Sequence, residues 1–188
     1  MTLLTKSSAA QWTLLLLTSL SIVAAFGEVT AKEHPNVVIV LADDMGWGDS
    51  GTFGHPLIKT PNLDKLAAQG VKLTQCYSAC GVCSPSRSAI LTGRTPYRNG
   101  VWRHLSGNHP AHLRTSEITY PKLLKAVGYE TCHVGKWHLL AKPQFDNPKY
   151  PQPGDHGYDY WFATHNNASP SHREPDNFFR NGKPVGKT

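Results

Sequence analysis

Cys83 is followed directly by Ser84-Pro85, with Arg87 about one helical turn further on and Cys80 three residues upstream. Three chemistries suit that spacing. Cys80-Gly-Val-Cys83 has the pattern of a redox pair, and Cys76, Cys80 and Cys83 could form part of a zinc knuckle. A thiol ahead of a cap-then-proline pair also stands where a helix begins. There, free backbone amides and the positive end of the helix dipole favour an anion. Arg87 can turn its guanidinium toward the same spot, so the arrangement suits an oxyanion. The redox motif normally starts its helix at the first cysteine, whereas Cys80 lies outside the helix predicted here. The knuckle lacks a fourth ligand close by, because His104 and Cys132 are distant in sequence.

Two further clusters carry chemical potential. Asp43 and Asp44 are adjacent carboxylates. Such a pair suits a hard divalent cation bound through oxygen, or else is a solvated acidic turn. Lys136 and His138 are two residues apart, so on an extended segment both point to one side. Each alone would read as ordinary surface. His133 reads as structural, and Trp137 as a core residue.

The elements that must position these groups follow from pattern. Val37–Leu41 ("VVIVL") is an unbroken aliphatic run that predicts a strand buried on both faces. It ends at the Asp43-Asp44 pair. Thr60-Pro61 predicts a helix start, with Leu63, Leu66 and Ala67 on one face and Gly70 as the stop. Val71–Tyr77 predicts a second strand. Ser84-Pro85 predicts a helix through Leu91 that ends at Gly93, and Pro121–Val127 another that ends at Gly128. Tyr129–Val134 predicts a third strand, running into Lys136 and His138. Strands alternating with helices imply an α/β fold with a largely parallel sheet flanked by helices. In such sheets ligands gather outside the carboxyl ends of the strands, where all three clusters fall. From about Ala141 the chain is rich in proline and aromatic residues. It predicts long loops that either rim a substrate site or cover the flank of the domain.

Composition narrows the class. The chain has 188 residues and a formal net charge of +6, with four cysteines. The basic residues are scattered, which argues against a nucleic-acid partner. Four cysteines are few for a disulfide scaffold, and one or two could be thiols kept for chemistry. Lys6 precedes the apolar run Trp12 to Phe26, and Val29-Thr30-Ala31 offers a cleavage site. Residues 1–31 therefore read as a signal peptide, and the protein as exported, periplasmic or secreted. The run falls short of the ~20 apolar residues a membrane span needs, so no span is expected after cleavage. Asn167-Ala168-Ser169 is a glycosylation sequon, relevant in a eukaryotic source.

The blocks that carry chemistry also carry a resemblance. Cys83-Ser84-Pro85-Ser86-Arg87 with Leu91-Thr92-Gly93-Arg94, together with "NVVIVLADDMGWGDSGTFGHP", "TPNLDKLAAQGVKLTQCYSA" and "GYETCHVGKWHL", resembles the sulfatase family. The likeness runs in the family's order from about Asn36 to His138. It implies an alkaline-phosphatase-like α/β fold and an arylsulfatase-like sulfuric ester hydrolase. It also implies that a formylglycine-generating or sulfatase-maturating enzyme, reading Pro85 and Arg87, converts Cys83 to formylglycine. The hydrated aldehyde would attack sulfur through one hydroxyl and release sulfate through the second. By the same resemblance, Asp43, Asp44 and the modified Cys83 would bind Ca2+, with Mg2+ as the alternative. Arg87 would hold the modified side chain, Lys136 would bind a sulfate oxygen, and His138 would assist proton transfer.

The family completes its metal site with a later Asp-Asn pair, and adds a second lysine and another histidine. None has a match here; Asp176-Asn177 lies too early and in the wrong context. Residues 32–188 are thus expected to be the N-terminal portion of a longer catalytic domain, with a loop-rich tail from about 141. The aromatic loops and the export signal point to a sulfated carbohydrate as the sulfate-ester substrate. Two alternatives are a phosphoester or phosphonate hydrolase of the same superfamily and an inactive secreted binder of sulfated glycans. The Cys-x-Pro-x-Arg block argues against the first, because phosphatases of that superfamily use serine or threonine.

Overall fold

The computed structural model describes residues 34–145 and 147–187. The expected signal peptide, 1–31, lies outside them. The chain divides into two compact units, residues 1–42 and 43–188. In the first, the described residues run without regular structure. The strand predicted at Val37–Leu41 does not form, and its side chains are exposed by 47 to 89%. High β-propensity makes a strand only where a neighbouring backbone completes the ladder, and this segment is assigned no such ladder.

The second unit is built on a four-stranded mixed sheet in the order β1-β2-β3-β4. Strand β1, Cys132–Lys136, pairs in parallel with β2, Tyr160–Thr164, in the register Cys132 to Tyr160 through Lys136 to Thr164. The short strands β3, Phe179–Arg180, and β4, Lys183–Pro184, extend the sheet antiparallel. Strand β2 lies in the tail predicted as loops. The run Tyr160-Trp161-Phe162 that forms it is rich in the aromatics that favour strands, but the surrounding prolines mask it. The second predicted strand, Val71–Tyr77, is also irregular, with Val71 86% and Tyr77 75% exposed. It too lacks a ladder among the described residues.

Helices follow local signals more closely. Helix α1 spans Pro61–Gln69, α2 spans Cys83–Thr92, α3 spans Pro96–Asn99, α4 spans Tyr120–Ala126 and α5 spans Lys142–Phe145. The start of α1 is tied down by Thr60, whose hydroxyl donates to Asp64 and accepts from the Gly51 amide. Gly93 ends α2 in the left-handed region, at φ 64°, where glycine carries no Cβ penalty. No helix among the described residues is long and apolar enough to cross a membrane.

The core of the second unit joins Leu91 of α2 to Val101, Leu105 and Leu113, and to Trp137, Leu139, Leu140, Phe145, Tyr158, Trp161 and Ala163. Each fully buried large aliphatic side chain stabilises by roughly 1.5–3 kcal/mol relative to exposure. Trp137 is 2% exposed and sits immediately after β1, so the strand end is anchored just beyond Lys136. The parallel ladder continues past β1: the Trp137 amide donates to the Thr164 carbonyl and the His138 amide to the His165 carbonyl, at 3.0 and 2.8 Å.

One ion cluster braces the loop before α4. Glu117, 4% exposed, accepts from Arg94 at 2.5 Å and from Arg114 at 2.7 Å. Both arginines are about half exposed, so solvent screens part of the interaction. Glu117→Ala is expected to destabilise the fold by about 1–2 kcal/mol, below the 3–5 kcal/mol of a fully buried pair. Urea denaturation at neutral pH measures it, and an unchanged midpoint would show that the cluster contributes nothing.

Candidate active site

Cys83 is the first residue of α2, with Val82 as its cap at φ −127° and ψ 152°. This corrects the sequence reading, which placed Ser84 at the cap and the thiol ahead of it. The Ser84 side chain is fully buried, and its hydroxyl accepts the Leu105 amide at 3.2 Å. It therefore bonds to the 101–105 loop rather than capping its own helix. Pro85 is buried beside it, under 2% exposed. That single hydrogen bond brings a distant loop to the helix start, and with it His104.

Lys136, at the end of β1, reaches back to the thiol. Its Nζ lies 3.2 Å from Cys83 Sγ and 2.8 Å from Asp43 Oδ2. Arg87, one turn along α2, donates to the Lys136 carbonyl at 2.7 Å and to Asp43 Oδ1 at 3.1 Å. The guanidinium is thus linked to Cys83 through Asp43 and Lys136, and its Nε is buried without a partner. Partial burial pushes the Asp43 carboxyl up, but Lys136 and then Arg87 outweigh it and hold its pKa below the usual value. Asp43 is therefore ionised at neutral pH.

Asp44 takes a left-handed backbone, φ 57°, a region that aspartate tolerates better than most residues. Successive side chains on an extended backbone point to opposite faces; the turn at Asp44 breaks that alternation. Carboxylate oxygens of Asp43 and Asp44 and the Cys83 sulfur consequently lie within 4.8 Å of one another.

His138 reaches the site by a different route from the one its spacing suggests. The strand ends at Lys136, and His138 adopts φ 55° rather than an extended conformation. Its side chain is fully buried. Nε2 lies 3.2 Å from the Leu105 carbonyl, so that nitrogen carries the proton. Nδ1 is left as a buried acceptor without a partner. Burial, followed by the charges of His165, His104 and Lys136, lowers its pKa to about 3, against the Leu105 carbonyl. The imidazole is neutral at physiological pH.

Sequence reasoning missed His104 and His165. The three imidazoles form a row, with His104 4.5 Å and His165 5.0 Å from His138 between ring centroids, both edge to face. Ring nitrogens of His104 and His138 and the Cys83 sulfur also lie within 4.8 Å of one another. His104 is too distant from Cys83 in sequence for spacing to pair them, and only its neighbour's bond to Ser84 reveals the contact. Asp176-Asn177 plays no part in this cluster. Asn177 accepts the Ser169 amide and donates to Thr164 and Asn167, a loop-bracing role. All four cysteines are free thiols.

The Sulfatase family model matches residues 35–184. This chain belongs to the sulfatase family. The sulfatase chain is 43% identical over 168 residues to N-acetylgalactosamine-6-sulfatase of Canis lupus familiaris, covering 85% of its own length and 30% of that protein. It is also 43% identical over 142 residues to steryl-sulfatase of Homo sapiens, covering 72% of itself and 24% of the relative. It therefore spans about a third or less of the curated relatives it matches. Its fold resembles the crystal structure of Ps i-CgsB in complex with k-i-k-neocarrahexaose, with a TM-score of 0.66 and 29% identity over 78% of this chain and 36% of that one. The α/β architecture of this sulfatase chain is thus that of the alkaline-phosphatase-like sulfatases.

Proposed function

We propose that the protein carrying this chain is an exported hydrolase of sulfate esters that acts through residue 83 as formylglycine. Residues 1–31 would be removed as a signal peptide, and residues 32–188 would supply the N-terminal portion of the catalytic domain. The observation that carries the reading is Lys136 Nζ, which donates to Cys83 Sγ and to Asp43 at once. A cation bridging the reactive side chain and a carboxylate is placed where a sulfate oxygen would lie once an ester approaches residue 83.

The described residues fit one side of a site for a hard cation. Asp43 is ionised, and its carboxylate and that of Asp44 converge on residue 83. Ca2+ takes six to eight oxygen ligands, so Asp43, Asp44 and the oxygen of modified residue 83 would hold part of its shell, with Mg2+ as the alternative. When bound, the cation would neutralise sulfate oxygens and ease deprotonation at residue 83.

The chain's own residues divide the remaining work. Formylglycine supplies a geminal diol, one hydroxyl to bond sulfur and one to expel sulfate, which no encoded side chain offers. Lys136 binds and orients the sulfate. His138, neutral and with Nδ1 free to accept, takes or returns a proton beside residue 83. Arg87 keeps Asp43 and the end of β1 in place.

The substrate class we favour is a sulfated carbohydrate. The names of the canine relative and of the Ps i-CgsB complex both point to sugars, although the tail aromatics Phe145, Tyr158 and Trp161 cover the core rather than rim a site. Mass spectrometry of the peptide spanning residue 83, from protein purified from its native host, should show an aldehyde in place of the thiol. Parallel assays on an aryl sulfate and an aryl phosphate should show turnover of the sulfate alone. A fully active protein with an unaltered Cys83 would overturn the reading.

A further inference from the structure

We propose that, while its thiol is unmodified, Cys83 joins His104 and His138 in a binding site for a borderline-soft divalent metal ion, Zn2+ foremost. This site is separate from the oxygen-donor cluster of Asp43 and Asp44, although both include residue 83. It concerns the thiol form of the chain and holds whether or not sulfate esters are its substrates.

Three observations converge. The donor atoms of Cys83, His104 and His138 lie within 4.8 Å of one another, so shifts of about an ångström bring them to the spacing of a tetrahedral zinc shell. One thiolate with two imidazoles is a donor set that soft and borderline metals prefer over Ca2+ or Mg2+. His138 is also prepared as a ligand. A metal-bound histidine normally gives its other N–H to a backbone carbonyl or carboxylate. His138 has Nε2 on the Leu105 carbonyl, while Nδ1 is fully buried and unpartnered. A fully buried acceptor without a partner costs stability, and a metal ion would satisfy it. Three protein ligands leave the fourth position to water, as in open zinc sites.

The arrangement follows from the fold rather than from a sequence motif. Ser84 draws in Leu105 and so positions His104, while the ladder beyond β1 carries His138 to the same point. Binding replaces the S–H bond of Cys83 with a sulfur–metal bond and releases the proton to solvent. Both imidazoles bind as neutral ligands. Lys136 Nζ, now 3.2 Å from the sulfur, would turn wholly to Asp43. A metal seated there would shield the thiol from oxidation and alkylation.

Co2+, whose thiolate complexes absorb in the near ultraviolet, is the probe. The full chain with Cys76, Cys80 and Cys132 all changed to serine should bind one Co2+, show that absorption, and lose it to added Zn2+. Cys83→Ala in that background should abolish the band. His104→Ala should weaken binding at least ~100-fold, the upper range for loss of even an outer partner. Asp43→Asn combined with Asp44→Asn should leave it intact. Circular dichroism verifies folding, and His104→Gln serves if the alanine variant unfolds. A folded parent without the band, a band that survives Cys83→Ala, an affinity that His104→Ala leaves unchanged, or loss of the band on removal of the two aspartates would each overturn the site.

Discussion

Alanine at position 83 is expected to reduce sulfate-ester turnover by ~10^3-fold or more, while serine should give a single round of chemistry and then stop. The two variants separate attack from release. Alanine has no nucleophile, and Lys136 then faces only Asp43. Serine keeps one oxygen at the start of α2, within reach of Lys136, and can bond sulfur as the alcohol departs. With no second hydroxyl on the same carbon, it cannot expel the sulfate. Mass spectrometry of Cys83→Ser after incubation with an aryl sulfate should therefore find one sulfate group esterified to residue 83, with alcohol release stopping at one equivalent. Sustained turnover by either variant would remove residue 83 from the chemistry.

Acid should destabilise this fold steeply. His133 and His156 have pKa values lowered to about 4 and His138 to about 3, in each case chiefly by burial. The groups around them add to or offset burial in different ways. Arg87 bears on His133 and is opposed by the Lys136 and Gly135 backbone, while Lys122 and His112 bear on His156 and are opposed by Asp155. In the unfolded chain a histidine titrates near 6.5. Between pH 6.5 and 4 the unfolded state thus binds more protons than the folded one, so stability falls as pH falls through that window. Above 6.5 the histidines contribute no slope; below about 3 the slope vanishes. Each group gives up to about 1.4 kcal/mol per pH unit. Together they should cost on the order of 9 kcal/mol by pH 4, comparable with the whole stability of a typical domain. Urea midpoints at pH 7 and 4.5 measure the drop, and His156→Gln should shrink it. A midpoint that held or rose in acid would refute the assignment.

Helices were legible in the sequence because their signals are local. Thr60-Pro61 with Gly70, and Pro121 with Gly128, sit within a residue or two of the observed ends. Strands depend on a partner far along the chain, and there the reading failed in both directions. Val37–Leu41 has every preference of a strand and no ladder among the described residues, while Tyr160–Thr164 hides among prolines and pairs with β1. The site divides in the same way. Asp43, Asp44, Cys83, Arg87, Lys136 and His138 stand out through short spacing and family likeness. His104 does not, because the bond that places it runs from Leu105 back to Ser84. A buried hydroxyl choosing an amide 21 residues away leaves no periodic trace.

The burial of Ser84 and Pro85 bears on the order of events in the proposed maturation. An enzyme that recognises Cys83 through Pro85 needs an extended peptide, and in the finished helix that proline is closed off. Under the proposed function, conversion of the thiol would then precede the winding of α2 and the bond between Leu105 and Ser84. Polypeptide that folds first would be locked in its cysteine form, beyond the reach of the catalyst meant to activate it.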